Sequence, residues 1–220
     1  MQRAFILNRR PYRENSLLVD LFTEESGKIT SVVRVAKKRG KIIQGSLEPF
    51  RLVLCEWKGR GNVMTMTSLE ESARYPVLPK NLGKAFYINE LFVKLLPAQA
   101  PMSPLFSLYH KILLKLCDEI EASTFMYGEL KILHLLGHPV CALAAQHPPQ
   151  PRCYYSQSQG FIDGQDQYDA IPVSASLFVK LAEKGKLTGE NERECREFLN
   201  QLFDRLLEGK VLHSRRLAFV

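Results

Sequence analysis

Several protein classes are excluded by what this 220-residue sequence lacks. Its five cysteines (Cys55, Cys117, Cys141, Cys153 and Cys195) are odd in number, scattered, and without a CxxC pair. That argues against a disulfide framework and for a reducing compartment. Cys55, Cys117 and Cys195 fall in apolar patterns and read as small core residues. No apolar run approaches the roughly 18 residues of a membrane span. Arginines interrupt any signal-peptide core in Met1–Arg10, so a cytoplasmic protein with no membrane partner is expected. There is no GxSxG, Walker loop, GxGxxG or HExxH. The N-terminal acidic residues form no close pair suited to acid–base work. Neither an enzyme nor a cofactor is expected. Internal repeats and low-complexity segments are also missing.

What is present is an uneven distribution of charge. Positions 1–60 hold 13 Lys/Arg against 6 Asp/Glu, which is the whole of the chain's net +7; the rest of the chain holds 17 against 17. The densest basic run is Val35-Ala36-Lys37-Lys38-Arg39-Gly40-Lys41. Four cations in five positions cannot be buried together, so they face water or a polyanion. The run lies between two stretches that read as strands, which makes it a loop on a β scaffold. Arg9, Arg10, Arg13, Arg34 and Arg60 complete the candidate phosphate contacts, together with Lys37, Lys38, Arg39 and Lys41.

Residues 1–78 read as five short strands with turn signals between them: 2–8, 16–23, 27–35, 49–57 and 62–69. This spacing predicts a small closed barrel, with an OB-fold as the leading form and an SH3-like barrel as its competitor. Tyr12 follows Pro11 in a basic stretch and is the candidate for stacking on a base; Phe22, Phe50 and Trp57 read as core. From position 79 the period becomes helical. Helices are expected over 80–96 (with Leu82, Ala85, Phe86, Leu91, Phe92 and Leu95 inward), from a Ser103 cap with Pro104 first, over 124–136 with Gly137 as its stop, over 174–184 and over 190–207. Residues 138–172 break pattern, with a hairpin expected around Tyr154-Tyr155 and Phe161-Ile162. The fold class is α+β: an OB-fold domain over 1–78, and a helical partner-binding domain over 79–220.

His138, Cys141, His147 and Cys153 fall close together, but without the tight pairs that zinc sites use. No metal is expected, and these four are the candidates should one bind.

In their order and spacing, Phe22-Thr23-Glu24-Glu25-Ser26-Gly27-Lys28, Leu47-Glu48-Pro49-Phe50, Gly59-Arg60-Gly61, Tyr87-Ile88-Asn89-Glu90-Leu91, Glu129-Leu130 and Leu135-Leu136-Gly137 resemble the bacterial RecO family from position 1 to about position 165. The resemblance implies an OB-fold followed by helices, and a non-enzymatic recombination mediator of the nucleoid. It implies binding of single- and double-stranded DNA, annealing of complementary strands, and loading of RecA on coated gaps. The implied partners are RecR and the C-terminal tail of single-stranded DNA-binding protein. Many members carry a four-cysteine zinc site after the third helix; this sequence keeps only Cys141 and Cys153 there, and reads as a degenerate zinc-finger-like loop. The family's tail-binding arginines are replaced by Phe125-Met126-Tyr127-Gly128, so Lys111, Lys115 and Lys131 are the candidates for that contact. The alternatives are an RNA-binding OB protein and a protein adaptor whose basic loop meets an acidic partner.

Overall fold

The computed structural model describes residues 1–35, 47–146, 153–162 and 170–219. Five strands, β1 (Gln2–Pro11), β2 (Ser16–Thr23), β3 (Gly27–Arg34), β4 (Arg51–Lys58) and β5 (Met64–Arg74), close a barrel in the order β1-β2-β3-β5-β4. β1 pairs antiparallel with β2 and with β4. β3 meets β5 in parallel, through Ser31–Met64 and Val32–Thr65. This is the OB-like closure, and it leaves no open edge to the sheet.

Ala4, Ile6, Val19, Leu21, Val53 and Cys55 are among the side chains that fill the barrel. Alternation alone would bury every second residue, yet β1 buries residues 4–7 in a row and β2 buries 19–23. The reason is a second cover on the outer face. Helices α1 (Leu82–Leu95) and α2 (Ser103–Leu116) supply it. The Phe5 ring lies 4.8 Å from those of Phe106 and Tyr109, and Phe22 lies 5.4 Å from Phe92.

A bulge in β1 fixes how α1 docks. The register against β2 shifts between Ile6 and Asn8, which takes the Leu7 carbonyl out of the ladder. The buried Asn89 side chain donates to that carbonyl at 2.7 Å, and the Tyr109 hydroxyl donates to Asn89 Oδ1 at 2.5 Å. Leaving one of these buried groups unpartnered would cost about 1–3 kcal/mol.

The inward stripe of α1 differs from the expected one. Leu82 and Phe86 are 39% and 42% exposed, while Tyr87, Ile88 and Asn89 are buried with Ala85, Leu91 and Phe92. The buried arc is wider and rotated because α1 meets the barrel on one side and the chain's C-terminal segment on another. Phe86 packs edge-on against Phe50, with ring centres 5.0 Å apart. Ser103 is not the cap of α2: Met102 holds that position without a side-chain bond, and Ser103 is the first helical residue.

The C-terminal segment docks through α7 (Arg215–Ala218). The Glu90 carboxylate accepts from the N–H groups of His213 and Ser214 at 3.1 and 2.8 Å and from the Ser214 hydroxyl, and it pairs with Lys94. Burial alone would raise the Glu90 carboxyl; the hydrogen bonds from Lys94, Ser214 and His213 outweigh it and hold the group down at about 2. Gly83 is required here, since a Cβ on it would stand 1.9 Å from the Leu217 carbonyl oxygen. The Phe219 ring meets that of Tyr87 at 5.1 Å.

The chain divides into two compact units, Met1–Glu119 with Leu212–Val220, and Ile120–Val211. The change from strands to helices lies between Arg74 and Pro79, as the sequence pattern has it. The compact division falls later because α1 and α2 pack on the barrel and the C-terminal segment packs on α1.

The second unit holds α3 (Ala122–Leu135), α4 (Val140–Ala144), β6 (Cys153–Ser156), β7 (Gly160–Ile162), β8 (Ile171–Val173), α5 (Ala175–Glu183) and α6 (Glu190–Leu206). The hairpin expected near Tyr154 is β6–β7; β8 extends it to a three-stranded sheet that the sequence reading lacks. Ser174 caps α5 by accepting from the Leu177 N–H at 3.1 Å. The stripe of α6 buries Cys195, Phe198 and Leu202, with Leu199 and Phe203 beside them. Glu129 is fully buried and takes a two-pronged bond from the Arg196 guanidinium. Among the described residues, no helix is long and apolar enough to cross a membrane.

Candidate nucleic-acid interface

Strand direction decides which cations share a surface. β1 ends where β2 begins, with Arg10 opposite Leu18 and Pro11 opposite Leu17. β3 ends at the same level, with Arg34 opposite Ser16. The turn from Tyr12 to Asn15 is tied to both strands: Tyr12 N–H donates to the Ser16 carbonyl at 3.0 Å, and Val35 N–H donates to the Asn15 carbonyl at 2.9 Å. Arg9, Arg10, Arg13 and Arg34 are therefore gathered at one end of the barrel. Arg9 and Arg10 sit on β1, which runs on to Pro11 where the sequence pattern stops at Asn8.

Four of the expected contacts, Lys37, Lys38, Arg39 and Lys41, lie outside the described residues. The described residues that flank them do belong to this end. Val35 is held by the β1–β2 turn, and Glu48 pairs with Arg9 at 2.5 Å.

Arg60 is elsewhere. β4 runs antiparallel to β1, with Gln2 opposite Cys55, so Lys58 and the turn beyond it pass the start of β1. Gly59 and Gly61, both at positive φ, flank Arg60 in this turn, at the opposite end from Arg34. Two positive groups there have acidic partners, while Lys58 and Arg60 are exposed and have none among the described residues. Arg3 donates twice to Glu24, at 2.7 and 2.5 Å, and the Met1 amine meets Glu56 at 2.9 Å. The hydrogen bond from Arg3 holds the Glu24 carboxyl below its ordinary range.

The cations at the first end differ among themselves. Arg10 pairs at 2.9 Å with Asp20, whose side chain is 5% exposed. Asp20 also accepts from the Thr30 hydroxyl at 2.7 Å and from the Asn8 amide at 3.5 Å. Arg9 pairs with Glu48, which is far more exposed. Arg13 and Arg34 are exposed and have no acidic partner among the described residues. The Arg13 guanidinium lies over the ring of half-buried Tyr12, 5.2 Å from its centre. Sequence reasoning missed the two counter-ions, Asp20 and Glu48; for Asp20 the available signal was an acid in the middle of an apolar strand, and Glu48, outside any strand, gave none.

Phe22 and Phe50 are buried, and half-buried Trp57 packs on the barrel core, as expected. Lys111 and Lys115 are exposed one turn apart on α2, and Lys131 is exposed on α3. Around α4, the donors present do not fit a zinc site. Cys141 is half-buried in α4, Cys153 is buried in β6, His138 follows α3, and His147 lies outside the described residues. Burial pushes the Cys141 thiol up to about 11, which opposes the proton loss that a metal-binding thiol needs. Among the described residues no group of three or more His, Cys, Asp or Glu is gathered as a ligand set.

Comparison with known proteins bears on the same barrel. Residues 1–73 match the family model described as "Recombination protein O N terminal". The chain is 33% identical to the DNA repair protein RecO of Vibrio parahaemolyticus, over 98% of this chain and 91% of that one. It is 33% identical to the RecO of Haemophilus influenzae, over 91% of this chain and 96% of that one. To the RecO of Vibrio vulnificus it is 32% identical, over 99% of this chain and 92% of that one. The likeness therefore extends through the second unit, beyond position 165, where the motifs alone carry it weakly. With the OB-like barrel and a likeness that runs almost end to end, the chain belongs to the RecO family of DNA repair and recombination proteins.

Proposed function

We propose that this chain is a non-enzymatic recombination mediator that grips single- and double-stranded DNA at the Arg34 end of its barrel. The observation that carries the reading is the convergence of Arg9, Arg10, Arg13 and Arg34, with Tyr12, on one end, beside both flanks of the basic run Lys37–Lys41. Cations on strands and turns meet phosphates without reading bases, so binding is strong at low salt and indifferent to sequence. Annealing follows from the same physics. A surface that holds two strands lowers their mutual repulsion and raises their local concentration. In the cell, as a nucleoid-associated cytoplasmic protein, it would act with RecR and with the C-terminal tail of single-stranded DNA-binding protein to load RecA. The helices would serve as the partner-binding part, with Lys111, Lys115 and Lys131 as the candidates for the acidic tail.

The test is strand annealing with DNA pre-coated by single-stranded DNA-binding protein, alongside a salt titration of DNA binding. The expected results are annealing above the coated control and an affinity that falls steeply with salt. No binding at low salt, or RNA of the same sequence bound far more tightly than DNA, would overturn the reading.

A further inference from the structure

Arg9 and Arg10 are neighbours on β1, and each already has a carboxylate, but the two pairs are built differently. Asp20 is almost wholly buried and accepts from three side chains, so its bond to Arg10 belongs to a fixed network. Glu48 is 43% exposed and has Arg9 as its one partner among the described residues. Such a pair is weak and exchangeable, since water and salt screen it and no second bond anchors it. Glu48 also stands just beyond the basic run, at the point where the chain comes back to β1. Its carboxylate accepts from the Arg9 guanidinium, which has the fork geometry that also suits a phosphate.

We infer that Glu48 is an internal competitor for the phosphate backbone at Arg9: it parks the guanidinium when DNA is absent and is displaced when DNA binds. The inference rests on the DNA-binding reading above and adds a regulatory residue to that site. Displacement frees one acid for each phosphate gained, so the native pair lowers both the affinity and the salt sensitivity contributed by Arg9. Asp20 plays the opposite part. It positions Arg10 and does not yield it.

The experiment is a fluorescence-anisotropy salt titration of the full chain with a single-stranded oligonucleotide, comparing wild type, E48Q, D20N, R9Q and R9Q/E48Q, each checked by thermal melting. E48Q is expected to bind about two- to fivefold more tightly at low salt. Its log K against log salt should steepen by about 0.7 for a single strand. The gain should vanish in the R9Q background, and D20N should show none. Unchanged or weaker binding by E48Q, while wild type binds, would overturn the inference and leave the DNA-binding reading standing. A gain that survives in R9Q/E48Q, or that D20N matches, would overturn it too, because either would be a bulk-charge effect. Failure of wild type to bind at low salt would overturn the underlying reading.

Discussion

The two ends of the barrel are made of the same five strands and differ in how many cations they gather. At the Arg60 end, Arg3, Glu24, Met1 and Glu56 pair off along the starts of β1 and β3 and the end of β4. At the Arg34 end, Arg13 and Arg34 form no ion pair among the described residues, with exposed Glu14 in the same turn as Arg13, and the pair Arg9–Glu48 is held by one bond. A count of charge along the chain cannot see this difference. The N-terminal quarter of the sequence is rich in cations throughout, and strand direction gathers four arginines at one end, beside the flanks of the basic run, and leaves Lys58 and Arg60 at the other. It is therefore the Arg34 end that is proposed for DNA.

The strongest way to break that comparison is to neutralise Lys37, Lys38, Arg39 and Lys41 together to glutamine. If the Arg34 end is the interface, affinity for a single strand should fall about tenfold or more at low salt. The slope of log K against log salt should shrink by up to about 2.8, at about 0.7 per lost phosphate contact. An unchanged titration would remove the loop from the site. The next test concerns stability and separates the buried acid at one end from the exposed acid at the other. Asp20→Ala strands the Arg10 guanidinium and the Thr30 hydroxyl, and should cost about 1–3 kcal/mol in a urea unfolding curve. Glu24→Ala breaks a solvent-screened pair and should cost no more than about 0.5 kcal/mol. Equal losses would show that burial does not distinguish the two ends.

A smaller effect is expected from removing Arg13 and Arg34, which lack acidic partners at this end among the described residues. R13Q/R34Q should weaken DNA binding several-fold and lower the salt slope by about 1.4. The smallest belongs to Arg60→Gln, which should stay within about twofold of wild type, since surface substitutions away from a contact move little. A loss from Arg60→Gln as large as that from R13Q/R34Q would mean that DNA runs along the whole barrel, and the contrast between the ends would have to be given up.

Much of this fold was legible in the sequence. Five short strands, the helical period after Pro79, the start of a helix at Ser174 and the Gly137 stop are local signals, each set by backbone preference or by the alternation of a few residues. Other features were not. Leu82 and Phe86 fit a 3.6-residue stripe as well as Ile88 does, and only the arrival of the C-terminal segment at Gly83 and Glu90 rotates the buried arc. Ser103 has the right chemistry for a cap but falls one residue inside the helix. The third strand of the small sheet, Ile171–Val173, is too short to announce itself before Cys153–Ser156 pairs with it.

The same division runs through the site. The barrel, the cationic bias of the N-terminal quarter and the family are readable along the chain, because composition, alternation and motif order are properties of sequence neighbours. Folding in three dimensions is what brings Arg9, Arg10, Arg13 and Arg34 to one end and Arg60 to the other, sets Asp20 and Glu48 against two of them, and closes the last residues on α1. Those facts depend on strand direction, register and burial. Charges interact across a few ångströms of space, and positions 9 and 48, or 90 and 214, come within that range only when the chain is folded.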